Sequence, residues 1–185
     1  MQLAPADAES SQLVVGAIRG FRWWRLSGSW LISPWRGDVR WTREDNLASC
    51  LGRRLLLRWK QHGLPHERGI PEADCSCGFY AMLQAPIDGW NVPGSWPLNP
   101  SLSGGPISLV FGVCQGFGRV ILGEYGWRAQ HARVDALYVP ASRTPTDLVR
   151  GASEAYDAPI YRDLDSLRAE RGPDDWTMDL ARGAA

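Results

Sequence analysis

ISLVFGVCQGFGRVILGEYGWRAQHARVDALYVP, residues 107–140, decides the fold. ISLVFGVCQ reads as a strand, GFG as a turn and RVILGE as a second strand. Tyr125-Gly126 turns the chain again, and WRAQHARVDALYV makes a third strand. In that third strand Ala132, Val134, Ala136 and Tyr138 alternate with His131, Arg133, Asp135 and Leu137. Period-2 alternation puts one set on each face, so the stretch predicts an antiparallel meander with one mostly apolar face.

Toward the C-terminus the pattern changes to helical. Thr146-Asp147 is positioned to cap DLVRGASEAY. Asp163 or Asp165 opens DLDSLRAERG, and Gly172-Pro173 ends it. Toward the N-terminus, residues 1–11 are small and polar and predict disorder. From Gly20 the chain alternates, with Phe21, Trp23 and Arg25 on one face and Arg22, Trp24 and Leu26 on the other. Ser27-Gly28 predicts a hairpin turn into SWLIS, and RGDVRW a further short strand. Thr42 and Asp45 fit a capping box for a short helix over TREDNLASCL. GFYAML, 78–83, is a buried strand or a short helix. Residues 85–106 form a long loop rich in Pro, Gly and Ser that carries Trp90 and Trp96. Loops of this length inside a domain are often functional.

Three of the four cysteines and two of the three histidines, His62 and His66, fall in ASCLGRRLLLRWKQHGLPHERGIPEADCSCGFYA, 48–81. The spacing Cys50-x15-His66-x8-Cys75-x-Cys77 offers three thiolates and one imidazole. That set suits a closed, tetrahedral, structural zinc site. Gly78 directly after Cys77 helps, because a metal knuckle needs backbone amides turned toward sulfur. The alternative is small buried cysteines near an unrelated histidine. A redox pair at Cys75 and Cys77 is opposed by its acidic neighbours Glu72 and Asp74. Cys114 sits mid-strand and is expected in the core.

Two other groupings carry chemistry. Arg22, Arg25, Arg36, Arg40 and Arg43 interleave with Trp23, Trp24, Trp35 and Trp41, a pattern that serves phosphate and base contact. The same pattern arises when tryptophans fill a core and arginines cover its edges. Glu124 and His131 could form an acid–base pair if they face each other across the turn. No nucleophile elbow, P-loop, dinucleotide fingerprint or HExxH is present.

The chain has 185 residues, which suggests one domain with a substantial core. The formal net charge of +0 conceals an uneven distribution. Residues 10–60 hold ten bases and three acids, +7, and residues 143–185 hold six arginines and nine acids, −3. Such a split serves an anionic partner or mutual neutralisation within the fold. The start MQLAPADAESSQ has no basic residue before Arg19 and does not read as a secretory signal, so a cytoplasmic location is expected. Reduced cysteines there favour metal binding over disulfides. No apolar run is long enough to suggest a membrane span.

GFRWWRL near the start, Trp41-x8-Cys50, CSCGFYA at 75–81, GRVILGEYGWRAQHARVDALYVP at 118–140 and ASEAYDAPIY at 152–161 together resemble a group of proteins of actinobacteria and their phages. That group is marked by a CxCG-[aromatic or aliphatic]-[Tyr/His]-Ala turn. The resemblance covers most of residues 20–165 and brings no activity with it. It implies that Cys50, Cys75 and Cys77 belong together, and that His66 follows a variable insertion.

The expectation is an α+β chain: an antiparallel sheet or partly open barrel at 12–140, a zinc-knuckle-like loop at 48–81, and a helical segment, 141–185, packed on it. The leading function is a non-catalytic, zinc-stabilised binding or adaptor protein that recognises another protein. The alternatives are nucleic-acid binding through 19–60 and an enzyme using Glu124 and His131. Candidate binding residues are Arg22, Trp23, Trp24, Arg25, Trp90 and Trp96; candidate metal ligands are Cys50, His66, Cys75 and Cys77.

Overall fold

The computed structural model describes residues 16–34, 39–50, 69–72, 75, 77–85, 108–141, 146–175, 177 and 179. Two long antiparallel strands form the spine: β5, Ser108–Leu122, and β6, Gly126–Tyr138. β1, Ile18–Ser27, runs along the far side of β5 and turns through Gly28-Ser29 into β2, Trp30–Ile32. The other edge of β6 carries three short strands end to end. β4, Phe79–Met82, pairs with residues 126–129; β3, Asn46–Leu47, pairs with 131–132; β7, Ile160–Tyr161, lies parallel to 137–138. β1 also touches β4 at Phe21 and Met82, so β1, β5, β6 and β4 close a partial ring. This is the expected α+β architecture, with a curved, mostly antiparallel sheet and C-terminal helices.

β5 is one strand where the sequence suggests two. The expected turn at GFG is a bulge: the register with β6 shifts between Phe117 and Val120, and Gly118 takes φ +76°. Both halves pair with the same partner strand, so the one extra residue bends β5 and does not reverse it. A second shift between Val113 and Cys114 leaves Asp135 as the extra residue on β6. It corrects the strict alternation expected for β6. Ala132 and Val134 face inward, but beyond Asp135 the inward residues are Leu137 and Val139, while Ala136 and Tyr138 face out.

Both faces of the sheet are covered. The interior holds Ile18, Trp24, Leu31, Trp41, Phe79, Val110, Cys114, Trp127 and Leu137, and is closed by α1, Asp147–Tyr156, through Val149, Ala152 and Tyr156. The outer face holds Phe21, Trp23, Phe111, Val113, Ala136 and Tyr138 under Leu167 of α2, Leu164–Arg171. Thr146 and Asp163 cap the two helices as the sequence predicts, and Gly172 ends the second. Tyr156 pins α1 by donating to the Trp41 carbonyl at 2.7 Å and accepting from Leu31 N at 3.0 Å. Asp135 anchors α2: its carboxylate accepts from Arg19 at 3.1 Å and Gln115 at 2.9 Å, and pairs with Arg171 at 3.4 Å.

The helix expected over TREDNLASCL does not form across its described residues, 42–50. Asn46 instead organises a turn, accepting from Thr42 N at 2.7 Å and donating to the carbonyls of Thr42, Glu44 and Ala132. An Asn side chain that satisfies backbone groups this way outcompetes a first helical turn. The hairpin turn falls at Gly28-Ser29, one residue later than expected. The C-terminal segment contributes a strand, β7, as well as helices. The disorder expected at 1–11 and the loop at 85–106 lie outside the described residues, apart from Ala85. No helix among the described residues is long and apolar enough to cross a membrane.

Trp127 fills the space where β1, β5 and β4 converge. A Cβ on Gly20 or Gly116 would overlap its indole, which donates to the Arg19 carbonyl at 3.0 Å. Gly116→Ala is therefore expected to destabilise the fold by about 1–3 kcal/mol through overpacking. Gly151→Ala, in α1, meets only Ser29 Cβ at 3.5 Å and is expected to stabilise by about 0.5–1 kcal/mol. Urea melts of the two variants against the parent check both signs.

Candidate metal centre

β3 and β4 run in the same direction along one edge of β6, and they nearly meet. Leaving β3, Ala48 N donates to the Gln130 carbonyl at 2.8 Å; β4 begins one residue along, with Phe79 opposite Ala129. The chain leaves the sheet at this seam and returns to it. Cys50 lies just after the exit, and Cys75 and Cys77 lie just before the re-entry.

Each side of the seam is fixed by its own residues. Buried Asn46 ties the exit to β6 through the Ala132 carbonyl at 3.1 Å. On the return, Cys75 N donates to the Glu72 carbonyl at 3.1 Å, closing a turn. Gly78 takes φ +116°, and a Cβ there would meet Pro71, Arg128 and the Ala129 carbonyl at 3.2–3.3 Å, a place a side chain would strain. Arg128, buried in β6 opposite Tyr80, donates Nη1 to the carbonyls of Glu72, at 3.3 Å, and Cys75.

The result is a thiol cluster. The Sγ atoms of Cys50, Cys75 and Cys77 all lie within 4.8 Å of one another, and those of Cys50 and Cys75 are 3.6 Å apart. Tetrahedral Zn–S bonds of ~2.3 Å place sulfurs about 3.8 Å apart, so the three residues can hold a metal ion with small side-chain adjustment. Cys77 is buried, and Cys50 and Cys75 are partly exposed. Three thiolates around a divalent cation leave one net negative charge, and the Arg128 guanidinium stands on the backbone of that same turn. His66, the expected fourth ligand, lies outside the described residues.

The other candidate residues are dispersed. Trp24 is fully buried, edge-on to Trp41 with ring centroids 5.4 Å apart. Arg22 is buried beside it; Nη2 donates to Ser33 Oγ at 3.1 Å, Nη1 donates to the Tyr80 carbonyl, and the guanidinium lies 5.0 Å from the Trp41 ring centroid. Burial depresses the Arg22 pKa below its usual value. Trp23 packs in the outer cluster against Phe111, and Arg25 is partly buried. Trp23 and Trp24 thus serve as core, and Arg22 braces the interior. Trp90 and Trp96 lie outside the described residues.

Glu124 sits in the β5–β6 turn, next to the Tyr125 hydroxyl, whose pKa it raises. His131 stacks on Phe117 at 5.3 Å. Five strand residues separate the start of β6 from His131, about 16 Å at ~3.3 Å per residue, so the two are too far apart to form an acid–base pair. Sequence reasoning passed over Asn46 and Arg128. Their cue was the register of β6, since Arg128 is directly opposite the strand that CSCGFYA forms.

No family model matches the chain, and no curated protein or solved structure matches it.

Cys114 stands apart from the cluster, in the interior, where burial pushes its thiol pKa up to about 12. A pKa raised by folding means that ionisation favours the unfolded chain. The contribution is complete below the unfolded value near 9 and is lost as pH rises toward 12. Stability measured by urea from pH 8 to 11 is expected to decline, and Cys114→Ala to decline less steeply over the same range.

Proposed function

We propose that this chain is a non-catalytic binding protein that recognises another protein and is braced by one structural zinc ion. The observation that carries the reading is the gathering of three thiols at the seam where the chain leaves and rejoins its sheet. Zinc is the metal whose tetrahedral preference and affinity for thiolate fit such a set. His66, whose neutral imidazole would close the site without adding charge, is the fourth ligand. A closed site has no position for water or substrate, so the metal holds structure. Arg128 offsets the net negative charge and fixes the carbonyl of a ligating residue, the usual work of groups behind a metal's ligands.

A protein partner is favoured because the arginine and tryptophans best suited to nucleic acid, Arg22, Trp23 and Trp24, are spent on packing. Three exposed apolar side chains lie along the edge that carries the cysteines, Leu47 of β3, Tyr80 of β4 and Tyr125 in the adjoining turn, while Trp30 of β2 and Leu148 of α1 are exposed elsewhere. A cytoplasmic setting, with an actinobacterium or its phage as source, agrees with thiols kept reduced.

Purified protein is expected to hold about one equivalent of zinc, read by elemental analysis. Cys75→Ser is expected to lose it and melt at lower temperature; metal-free parent protein of unchanged stability would overturn the reading. Arg128→Met is expected to keep the metal but bind it about 10–100-fold more weakly in competition with a chelator. Electrophoretic mobility with nucleic acid at two salt concentrations separates the partner classes, since phosphate contacts give affinity that falls steeply with salt.

A further inference from the structure

We propose that Cys50 and Cys75 are a disulfide-forming pair that closes the same seam when the metal leaves. The four thiols of this chain differ in ways that select these two. Their sulfurs are already in contact at 3.6 Å, and both side chains are partly exposed. Cys77 is buried, and Cys114 is fully buried in the interior with its thiol held protonated. Cys75 and Cys77 are only two residues apart, and a bridge between them would close a strained small ring. A Cys50–Cys75 bridge spans 25 positions in sequence and links exit to re-entry, the two ends that the metal would join.

The chemistry balances with a peroxide as oxidant. One thiol sulfur attacks a peroxide oxygen, the O–O bond breaks, and a sulfenic acid and one water form. The second thiol attacks the sulfenic sulfur, the S–S bond forms and a second water leaves. Two thiols and one hydrogen peroxide thus give one disulfide and two waters. From the zinc form, two bound thiolates take up two protons from solvent into those waters, and Zn2+ is released. The release of zinc rests on the metal reading above; the pairing of the two sulfurs rests on their geometry alone.

The bridge does more than record oxidation. It replaces the metal as the link across the seam, so oxidised, zinc-free protein keeps its fold where reduced, zinc-free protein loosens. The full chain is measured for zinc, then treated with hydrogen peroxide, both as purified and after metal removal with a chelator. Peptide mapping without reductant is expected to find one disulfide, lost in Cys50→Ser and in Cys75→Ser but kept in Cys77→Ser. A chromogenic chelator is expected to see zinc appear in step with the bridge. The oxidised protein should melt close to the zinc form and above the reduced metal-free form, and reductant with zinc should restore the starting state. A bridge that survives Cys75→Ser, sulfinic acid in place of a bridge, or an oxidised form that melts with the reduced metal-free protein would overturn the inference. Protein that holds no zinc yet forms the bridge refutes the metal reading and sustains this one; protein that holds zinc but forms no bridge does the reverse.

Discussion

An indole takes the place of two missing side chains at the centre of this fold. Trp127 lies against Gly20 of β1 and Gly116 of β5, where any Cβ would collide with it, and its nitrogen donates to the Arg19 backbone. The ring of strands can close only because those two positions are bare. Trp127 is also the second residue of β6, so fixing it fixes where that strand begins. β4 then has one available register, with Phe79 against Ala129 and Met82 against Gly126. The seam between β4 and β3, and with it the thiol cluster, follows from where this one ring sits.

The tryptophans make sense in the same terms. A curved sheet with both faces covered needs large side chains inside the curve and on the outer wall. Trp24, Trp41 and Trp127 fill the inside, and Trp23 the outside. A large aromatic ring buries 150–250 Å² or so on a few strand positions, which suits a chain with short helices and little layered packing. The arginines are drawn into the same work. Arg22 reaches carbonyl, hydroxyl and indole in the interior, and Arg19 reaches Asp135 on the outer wall. Between the basic segment and the acidic tail, Arg43 and Asp157 form an exposed ion pair at 3.5 Å, which is worth little to stability. Among the described residues of the basic segment, Arg22 is spent on packing and a backbone acceptor, Arg40 lies over the Trp30 ring, and Arg19 and Arg43 pair with carboxylates.

The sequence was most legible where a residue acts on its immediate neighbours. Thr146 and Asp163 announce their helices because a cap bonds a backbone amide a few residues away. Alternation from Gly20 onward sorts Phe21, Trp23 and Arg22, Trp24 to their correct faces. Legibility ended where the partner is distant in sequence. Phe117-Gly118 looks like a turn, and only its pairing with His131 and Gln130 on β6 makes it a bulge. Asp135 interrupts the alternation because Arg19, Gln115 and Arg171 all claim it from other elements. Asn46 looks like part of a capped helix until the Ala132 carbonyl is beside it. At the candidate site the cysteines were readable from spacing, since thiolates are rare enough to stand out. Arg128 was not readable, because an arginine in a β-strand acquires its role from the strand opposite.

The position of the cysteines says more than their number. β3 has two paired residues, and the chain beyond it departs on an excursion before β4 resumes along the same edge. Closing a loop of that size costs on the order of 3 kcal/mol in chain entropy, and a two-residue strand returns little of it. Asn46 and Arg128 each hold one end. The sulfurs span the gap from both sides: Cys50 from the exit, Cys75 and Cys77 from the return. A catalytic centre gains from an open face and a substrate path. A clasp gains from donors that arrive from opposite sides of a gap, backed by groups that already fix each side. The thiol cluster has the second arrangement, and that is why the metal reading here is structural.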